Sequence, residues 1–319
     1  MSKTSSDPVR HALNGSTMGT RWQAAFHAAP GFDPDPLRAA LQASVDEVDA
    51  QMSTWKPDSA LMRLNRAPLD EWFAIPAPLA EVLRLGLEIG RASGGAFDIG
   101  MGDAVRAWGF GPDAAEARAI RAAMAAPRRP AHEVLDIDGR LVRKRASIAL
   151  DLNAIAKGYG VDRLTETLRD HGITAALTGI DGEMRATGLR PDGSPWTVAV
   201  EAPDPERRAV HSILALEDCA VATSGDYRHR VEVRGQSLSH TMDPGHGAPL
   251  RASAASVTVL ARSCAKADAW ATALMVLGPR VGGDLAARLR LDALFLMREA
   301  EGIRPRAIGA LFGGDAAPG

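Results

Sequence analysis

The stretch ASVTVLARSCAKADAWATALMVLG, residues 255–278, combines two hydrophobic patterns within one short segment. Its first residues are apolar and β-branched with little polar interruption, a composition typical of a buried strand. From residue 264 to residue 278 the apolar residues recur at helical spacing and lie on one side. We therefore predict that a strand runs directly into a helix here.

In the sequence before this unit, a region with several predicted helices is followed by a strand-rich region. Apolar residues at helical spacing predict a first helix, namely Leu37, Leu41, Val45, Val48 and Met52. Three more helices are predicted within residues 76–95, 113–126 and 153–172, the last with Asn153 as its N-cap.

Strands are predicted at residues 16–28, throughout about 173–259, and at 291–299. A hairpin is predicted around Asp138-Gly139, since this dipeptide between apolar runs is a strong turn signal. Helices and strands do not alternate regularly, which favours an α+β fold with a largely antiparallel sheet over a doubly wound fold.

Composition excludes some classes of function. The chain has 319 residues, 46% hydrophobic residues and a formal net charge of −2. Nucleic acid is therefore not expected as a main partner, because phosphate binding normally requires a basic excess. No apolar run approaches the roughly 20 residues that cross a bilayer, so no integral membrane segment is expected.

The first residues, MSKTSSDPVRHALNGSTMGT, contain no apolar core of a signal peptide. The cysteines, Cys219 and Cys264, lie far from the N-terminus and have no metal-like spacing, so we interpret them as buried thiols. The expected location is the cytoplasm, or the periplasm if an export signal has been removed from the sequence.

Common catalytic templates are missing. The sequence contains no GxxxxGK[ST], GxSxG or HExxH pattern. GMGDAV, residues 100–105, has two of the three glycines of a dinucleotide-binding turn but no clear strand–helix frame.

Two glycine-containing segments carry aromatic or charged residues that could contact a ligand, beyond what a hydrophobic core requires. GGAFDIGMGDAVRAWGFG, residues 94–111, allows close backbone approach to a ligand and carries aromatic rings, although a plain turn over the core explains it equally well. DLNAIAKGYGVD, residues 151–162, places Lys157 on a helix whose N-terminus suits a phosphate. The alternative is a solvated lysine on a surface helix.

Two further segments carry side chains of the types that bind a metal ion or accept a proton. Asp268 and Thr272 are four residues apart on the predicted helix, so both oxygens project from one face and suit a hard cation such as Mg²⁺. SHTMDPGHG, residues 239–247, offers His240 as a base on a loop rich in turn residues. An ordinary helix threonine and a structural loop histidine are the simpler explanations.

Taken in order, these segments resemble the ApbE family of FAD:protein FMN transferases over nearly the whole chain. The matching blocks are TMGT at 17–20, MSTWKPDSALMRLN at 52–65, residues 94–111, residues 151–162, SGDYRH at 224–229, SHTMDPGHGAP at 239–249, and residues 255–278.

The resemblance implies transfer of FMN from FAD to a threonine or serine hydroxyl of an acceptor flavoprotein, with release of AMP and dependence on Mg²⁺. It implies an ApbE-like domain over residues 13–313, with two lobes around a flavin cleft, between segments 1–12 and 314–319 that we expect to be flexible. The acceptors that it implies are subunits of electron-transfer complexes.

Residue roles follow from the resemblance by position. Flavin-binding positions are Met18, Trp55, Ala96, Phe97, Asp98, Asp151, Lys157 and Met242. Metal-binding positions are Asp268, Thr272 and the main-chain oxygen of Ala154. The catalytic position is His240.

The sequence also departs from the family pattern. In GIDGEMRA, residues 179–186, Gly179 stands for a usual polar residue and Asp181 for a usual glycine. Two other functions share the same residues: an FAD pyrophosphatase that uses water as acceptor, and a non-catalytic flavin carrier.

Overall fold

The structure is a computed structural model that describes residues 7–204, 207–226, 230–233, 236–250, 254–300 and 302–312. Its helices are α1 Asp35–Met52, α2 Ala60–Arg66, α3 Ala77–Ala92, α4 Gly102–Ala107, α5 Ala117–Ala125, α6 Ala131–Val134, α7 Ala156–Asp170 and α8 Cys264–Leu289. Its strands are β1 Val9–Thr17, β2 Thr20–Ala28, β3 Phe73–Ala74, β4 Leu135–Asp138, β5 Leu141–Lys144, β6 Ala176–Ile180, β7 Glu183–Thr187, β8 Trp196–Glu201, β9 Val210–Leu216, β10 Ala220–Gly225, β11 Arg230–Val233, β12 Gln236–Ser239, β13 Met242–Asp243, β14 Ala248–Pro249, β15 Ser256–Ala261, β16 Asp292–Glu299 and β17 Gly302–Ile308.

An eight-stranded sheet in the order β1-β2-β6-β7-β10-β15-β16-β17 forms the larger lobe. Every pairing in this sheet is antiparallel. The α+β prediction is therefore confirmed. The abrupt change at residues 255–278 is also confirmed, since β15 pairs with both β10 and β16 and leads directly into α8.

The two faces of this sheet are covered differently. Helices α7 and α8 pack on one face, against residues such as Val257, Val259 and Phe295. The hairpin β8–β9 packs on the other face, against Leu260 and Leu294, which alternate with the first set along the same strands. Both faces are thus buried, which explains the continuous apolar run of β15.

The smaller lobe contains the three-stranded sheet β3-β5-β4 together with α2, α3 and α6. Leu61 and Leu83 of this lobe are fully buried in the same core cluster as Val257 and Phe295 of the large sheet. The two lobes therefore share one continuous core, and that core fixes the position of each lobe relative to the other.

The N-terminal segment differs from its prediction. Residues 16–28 were predicted as one strand, but the chain reverses at Met18 and Gly19, which have φ of 45° and 72° and join β1 to β2. Two successive positive φ angles give the tight turn whose twist matches a hairpin. Because β1 begins at Val9, ordered structure starts before the predicted boundary at residue 13. The predicted tail 314–319 lies outside the described residues.

Two helix ends also differ in detail. The N-cap of α7 is Ile155, so the prediction of Asn153 as cap is wrong. Asn153 instead bonds the carboxylate of Asp151 through both its main chain and its side chain. Lys157 consequently lies in the first turn of the helix. The second half of α8 is separated from the first by a break at Gly278, which has a φ of 73°.

Candidate functional site

A cavity of about 1160 Å³ opens between the two lobes. All of the binding, metal and catalytic positions predicted from the sequence line it, namely Met18, Trp55, Ala96, Phe97, Asp98, Asp151, Ala154, Lys157, His240, Met242, Asp268 and Thr272. These residues come from segments that are far apart in the sequence. The fold therefore brings every segment with unusual chemistry to one place.

Asp268 lies in a buried acidic environment at this cavity. Asp268 is only 5% exposed. Its Oδ2 accepts a hydrogen bond of 3.0 Å from the main-chain N–H of Gly158. Burial, together with the nearby carboxylate of Glu183, raises the pKa of Asp268 to about 7. A positive charge in the cavity would therefore stabilise the ionised form of this carboxyl.

Gly158 makes that hydrogen bond possible. A Cβ built at this position would lie 2.5 Å from the carbonyl oxygen of Cys264. Only glycine therefore allows the first turn of α7 to approach the first turn of α8 this closely. The helix N–H that bonds Asp268 is available because the first turn of a helix leaves its N–H groups without helical partners.

Thr272 lies one turn beyond Asp268 on α8, as its sequence spacing predicted. Its hydroxyl is 3.0 Å from the hydroxyl of Ser224 on β10. Ser224 is buried and also borders the cavity. Two hydroxyl oxygens and a carboxylate thus lie along the same wall.

Lys157 is held by acidic side chains. Its Nζ lies 2.7 Å from Glu183 Oε1 and 3.4 Å from Asp181 Oδ2. Burial opposes the charge on the lysine, but the carboxylates of Glu183 and Asp268 outweigh it and raise the pKa of Lys157. The alternative of a freely solvated surface lysine is therefore wrong.

Glu183 lines the cavity but was not among the site residues predicted from the sequence. Its side chain is 4% exposed, and its Oε2 is buried with no hydrogen-bond partner among the described residues. It lies two residues from Asp181, in the segment GIDGEMRA that departs from the family pattern. Its role was not visible in the sequence because only the fold places it beside Lys157 and Asp268.

Asp151 shapes the chain that precedes α7. Its Oδ1 accepts from the Asn153 N–H at 2.9 Å, and its Oδ2 accepts from the Asn153 side-chain amide at 3.0 Å. Burial raises the pKa of Asp151 to about 6. The turn that it stabilises carries Ala154 along the cavity wall just before the helix begins.

The loop SHTMDPGHG is held mainly by Asp243. Its Oδ1 accepts from the Gly245 N–H at 2.9 Å, and its Oδ2 is 2.7 Å from His246 Nδ1. Met242 is buried in a cluster with Met101, whereas His240 is exposed at the cavity. The loop is therefore built around the aspartate, and it presents one of its two histidines to the cavity.

The glycine-rich segment 94–111 supports this loop. Trp108 Nε1 donates a 3.0 Å hydrogen bond to the carbonyl of Gly247. Asp98 Oδ1 accepts from the Gly100 and Ala131 N–H groups, and burial raises the pKa of Asp98. Phe97 is only 3% exposed and belongs to the main core. Its ring therefore offers little free surface for stacking, unlike Trp55, which is 59% exposed at the rim.

Comparison with known proteins places the chain in a family. The sequence profile described as the ApbE family matches residues 18–295. The structure superposes on the flavin transferase ApbE from Vibrio cholerae with a TM-score of 0.84 and 34% identity, covering 95% of this chain and 98% of that one. For the apo flavinyl transferase ApbE of Pseudomonas stutzeri the TM-score is 0.85 and the identity 36%, covering 97% and 98%.

Relatives named as FAD:protein FMN transferases match over similar lengths. The Vibrio cholerae protein named FAD:protein FMN transferase is 36% identical over 305 residues, 92% of this chain and 90% of its own length. The Escherichia coli protein of the same name is 32% identical over 302 residues, 92% of this chain and 85% of its own. This chain belongs to the ApbE family.

Neither a membrane-spanning helix nor a metal-binding cluster of side chains occurs among the described residues. No helix there is both long and apolar enough to cross a membrane. No group of three or more His, Cys, Asp or Glu side chains there is arranged to hold a metal ion.

Proposed function

We propose that this chain transfers FMN from FAD to a serine or threonine hydroxyl of an acceptor protein, with release of AMP and with Mg²⁺ as cofactor. The observation that carries the proposal is the convergence of all the predicted positions on one cavity, with the Asp268 carboxylate buried in its wall. Membership of the ApbE family and the names of the matching relatives support the reaction.

The donor groups around Asp268 suit Mg²⁺. A carboxylate with a raised pKa, two hydroxyls and the unpaired Glu183 Oε2 form an oxygen-rich, net negative wall. Mg²⁺ takes few protein oxygens and keeps water or phosphate for the rest of its octahedron. We assign Asp268, Thr272 and the Ala154 main-chain oxygen as its ligands. A bound Mg²⁺ supplies positive charge that neutralises phosphate oxygens and orients the pyrophosphate.

The remaining lining residues are assigned to FAD. Lys157 lies in the first turn of α7, where its charge and the helix dipole both favour phosphate. Trp55, at the rim, offers an exposed ring for a flat flavin, and Met18 and Met242 offer apolar surface. Ala96, Phe97, Asp98 and Asp151 shape the backbone that borders the ligand.

His240 is assigned to the chemical step. The acceptor oxygen attacks the phosphorus of the FMN half, the bond to the bridging oxygen of the pyrophosphate breaks, and AMP leaves with that electron pair. A phosphoester to the acceptor forms, and the hydroxyl proton passes to His240. Positioning and charge stabilisation provide most of the catalysis, as in phosphoryl transfer generally.

We also propose that the acceptors are flavin-bearing subunits of electron-transfer complexes. The location is proposed to be the cytoplasm for the sequence as printed, and the periplasm if an export signal precedes the mature chain. Fractionation of the source cells with an antibody to this protein tests the location directly.

Mass spectrometry of acceptors after incubation with this protein, FAD and Mg²⁺ tests the reaction. Protein-bound FMN on a serine or threonine peptide is the expected product. Free FMN plus AMP without modified protein would indicate a pyrophosphatase instead. Unchanged FAD with every acceptor would indicate a carrier.

FAD is expected to bind about 1:1 and far more tightly than riboflavin. The reason is that riboflavin has no phosphate to contact the surroundings of Lys157 and no adenylate to occupy the rest of the cavity. Isothermal titration calorimetry with FAD, FMN and riboflavin measures the difference, and FMN should be intermediate. Equal affinities for FAD and riboflavin would contradict this assignment of the cavity.

Mg²⁺ affinity is expected to rise about tenfold per pH unit up to about pH 7 and then to level off. The sign follows from Asp268: its pKa is raised, so below that value a proton occupies the carboxyl and competes with the cation. Titration with MgCl₂ across this range tests the prediction. The variant Asp268→Asn serves as control and should lose both the affinity and its pH dependence. An affinity that does not change with pH in the wild type would count against Asp268 as a ligand.

A further inference from the structure

The hairpin β8–β9 has two faces of different character. Its inner face, with Trp196, Val198, Val200, Leu214 and Leu216, is buried against the large sheet. Its outer face consists of the residues that alternate with these along β8 and of their cross-strand partners on β9. That outer face is not needed for packing on the sheet, because the inner face alone fills the core.

The outer hairpin face comprises Thr197, Ala199 and Glu201 of β8, opposite Ala215, Ile213 and Val210 of β9. Ile213 is 69% exposed, more than any other large hydrophobic residue of the described chain, and Val210 is 62% exposed. Of the six residues only Glu201 carries a charge. Large apolar side chains that are exposed together on one face are typical of a protein-binding site.

This face continues into the cavity. Ala199 and Glu201 belong to the outer hairpin face and also line the cavity wall. Arg208, which lies 3.9 Å from Glu201, lines the same wall. A polypeptide that lies along the outer hairpin face is therefore led to the cavity mouth at its Glu201 end.

We propose that the outer hairpin face, centred on Ile213, docks the acceptor polypeptide and delivers its hydroxyl to the cavity. This inference rests on the proposed function, because a transferase must bring a protein hydroxyl to bound FAD. The exposed apolar side chains of Ile213 and Val210 fit an acceptor segment that presents apolar side chains to this face. The continuity with the cavity favours the acceptor over a second copy of this chain, which has no need to reach FAD.

Ile213→Asp is expected to raise the KM for the acceptor at least about tenfold, since a charge would be buried at the centre of the contact. The kcat at saturating acceptor and the affinity for FAD should stay unchanged, because Ile213 does not line the cavity. The probe is the purified acceptor protein that becomes flavinylated in the mass-spectrometric assay. Val281→Asp is the matched control, since Val281 is 48% exposed on α8 and does not line the cavity.

The outcomes separate this inference from the proposed function. If the wild type flavinylates no acceptor, the proposed function fails. If the wild type is active and Ile213→Asp has the same KM, the docking surface is wrong. An unchanged KM with altered self-association would assign the face to a second copy and would also overturn the proposal. Should Ile213→Asp lower the melting temperature, Thr197→Asp tests the same face at an already exposed polar position.

Discussion

Replacing His240 by asparagine is expected to lower the rate of FMN transfer by ~10²–10⁴, the range typical of a lost general base. Asparagine has a similar size and a hydrogen-bonding side chain, but it cannot take up the proton of the attacking hydroxyl. FAD and Mg²⁺ affinities should change little, because Asp243 fixes the turn of the His240 loop through the Gly245 N–H and His246 in both proteins. The expected defect is therefore in kcat.

The measurement combines single-turnover transfer over a range of pH with FAD calorimetry. If His240 is the base, the pH–rate profile of the variant loses one ionisation that the wild type shows. His246→Asn is the comparison variant, because it removes the contact with Asp243 on the same loop without changing a cavity residue, and so shows how much of the defect comes from a disturbed loop rather than from a lost base. Weaker FAD binding with an unchanged pH profile would instead assign His240 to a phosphate oxygen.

Asp268→Asn is expected to lower transfer by at least ~10²-fold at low Mg²⁺, of the order lost with one strong transition-state contact. The variant removes the charged ligand but keeps an oxygen that can accept from the Gly158 N–H. Asp268→Ala is a less clean test, because it would leave that buried N–H without a partner, at a cost of about 1–3 kcal/mol. The choice of asparagine separates loss of the cation from loss of the fold.

Stability provides an internal check on this variant. The folded-state pKa of Asp268 is raised, so ionisation of this carboxyl costs stability as the pH rises towards about 7. Without metal, Asp268→Asn should therefore be no less stable than the wild type above pH 7. Thermal melts with and without MgCl₂ measure this, and Mg²⁺ should raise the melting temperature of the wild type alone.

Asp162→Asn is the matched control for a buried carboxylate away from the cavity. Asp162 bonds Arg185 at 2.6 Å and the Cys264 and Ala265 N–H groups. Its replacement should lower stability yet leave Mg²⁺ affinity unchanged, because it is not a cavity residue. Full activity of Asp268→Asn at low Mg²⁺ would refute the metal assignment.

Where local pattern and tertiary burial agree, the sequence predicted the fold well. The apolar positions predicted on α1 are all buried, and the β4–β5 hairpin forms at Gly139, which has a φ of 55°. Prediction failed at turns that depend on context. Met18-Gly19 is not a usual hairpin dipeptide, so β1 and its reversal into β2 were not expected.

The sequence by itself determined the α+β class, the order of the chemical segments and the pairing of Asp268 with Thr272 on one helix face. Those properties depend on residue type and on the fixed periods of helix and strand, which are local. Only the tertiary structure decided that Glu183 joins Lys157 and Asp268, that Phe97 belongs to the core, and that Ile213 faces outward beside the cavity. Burial and electrostatic energy depend on distances between groups remote in sequence, so these properties exist only once the strands and helices have packed.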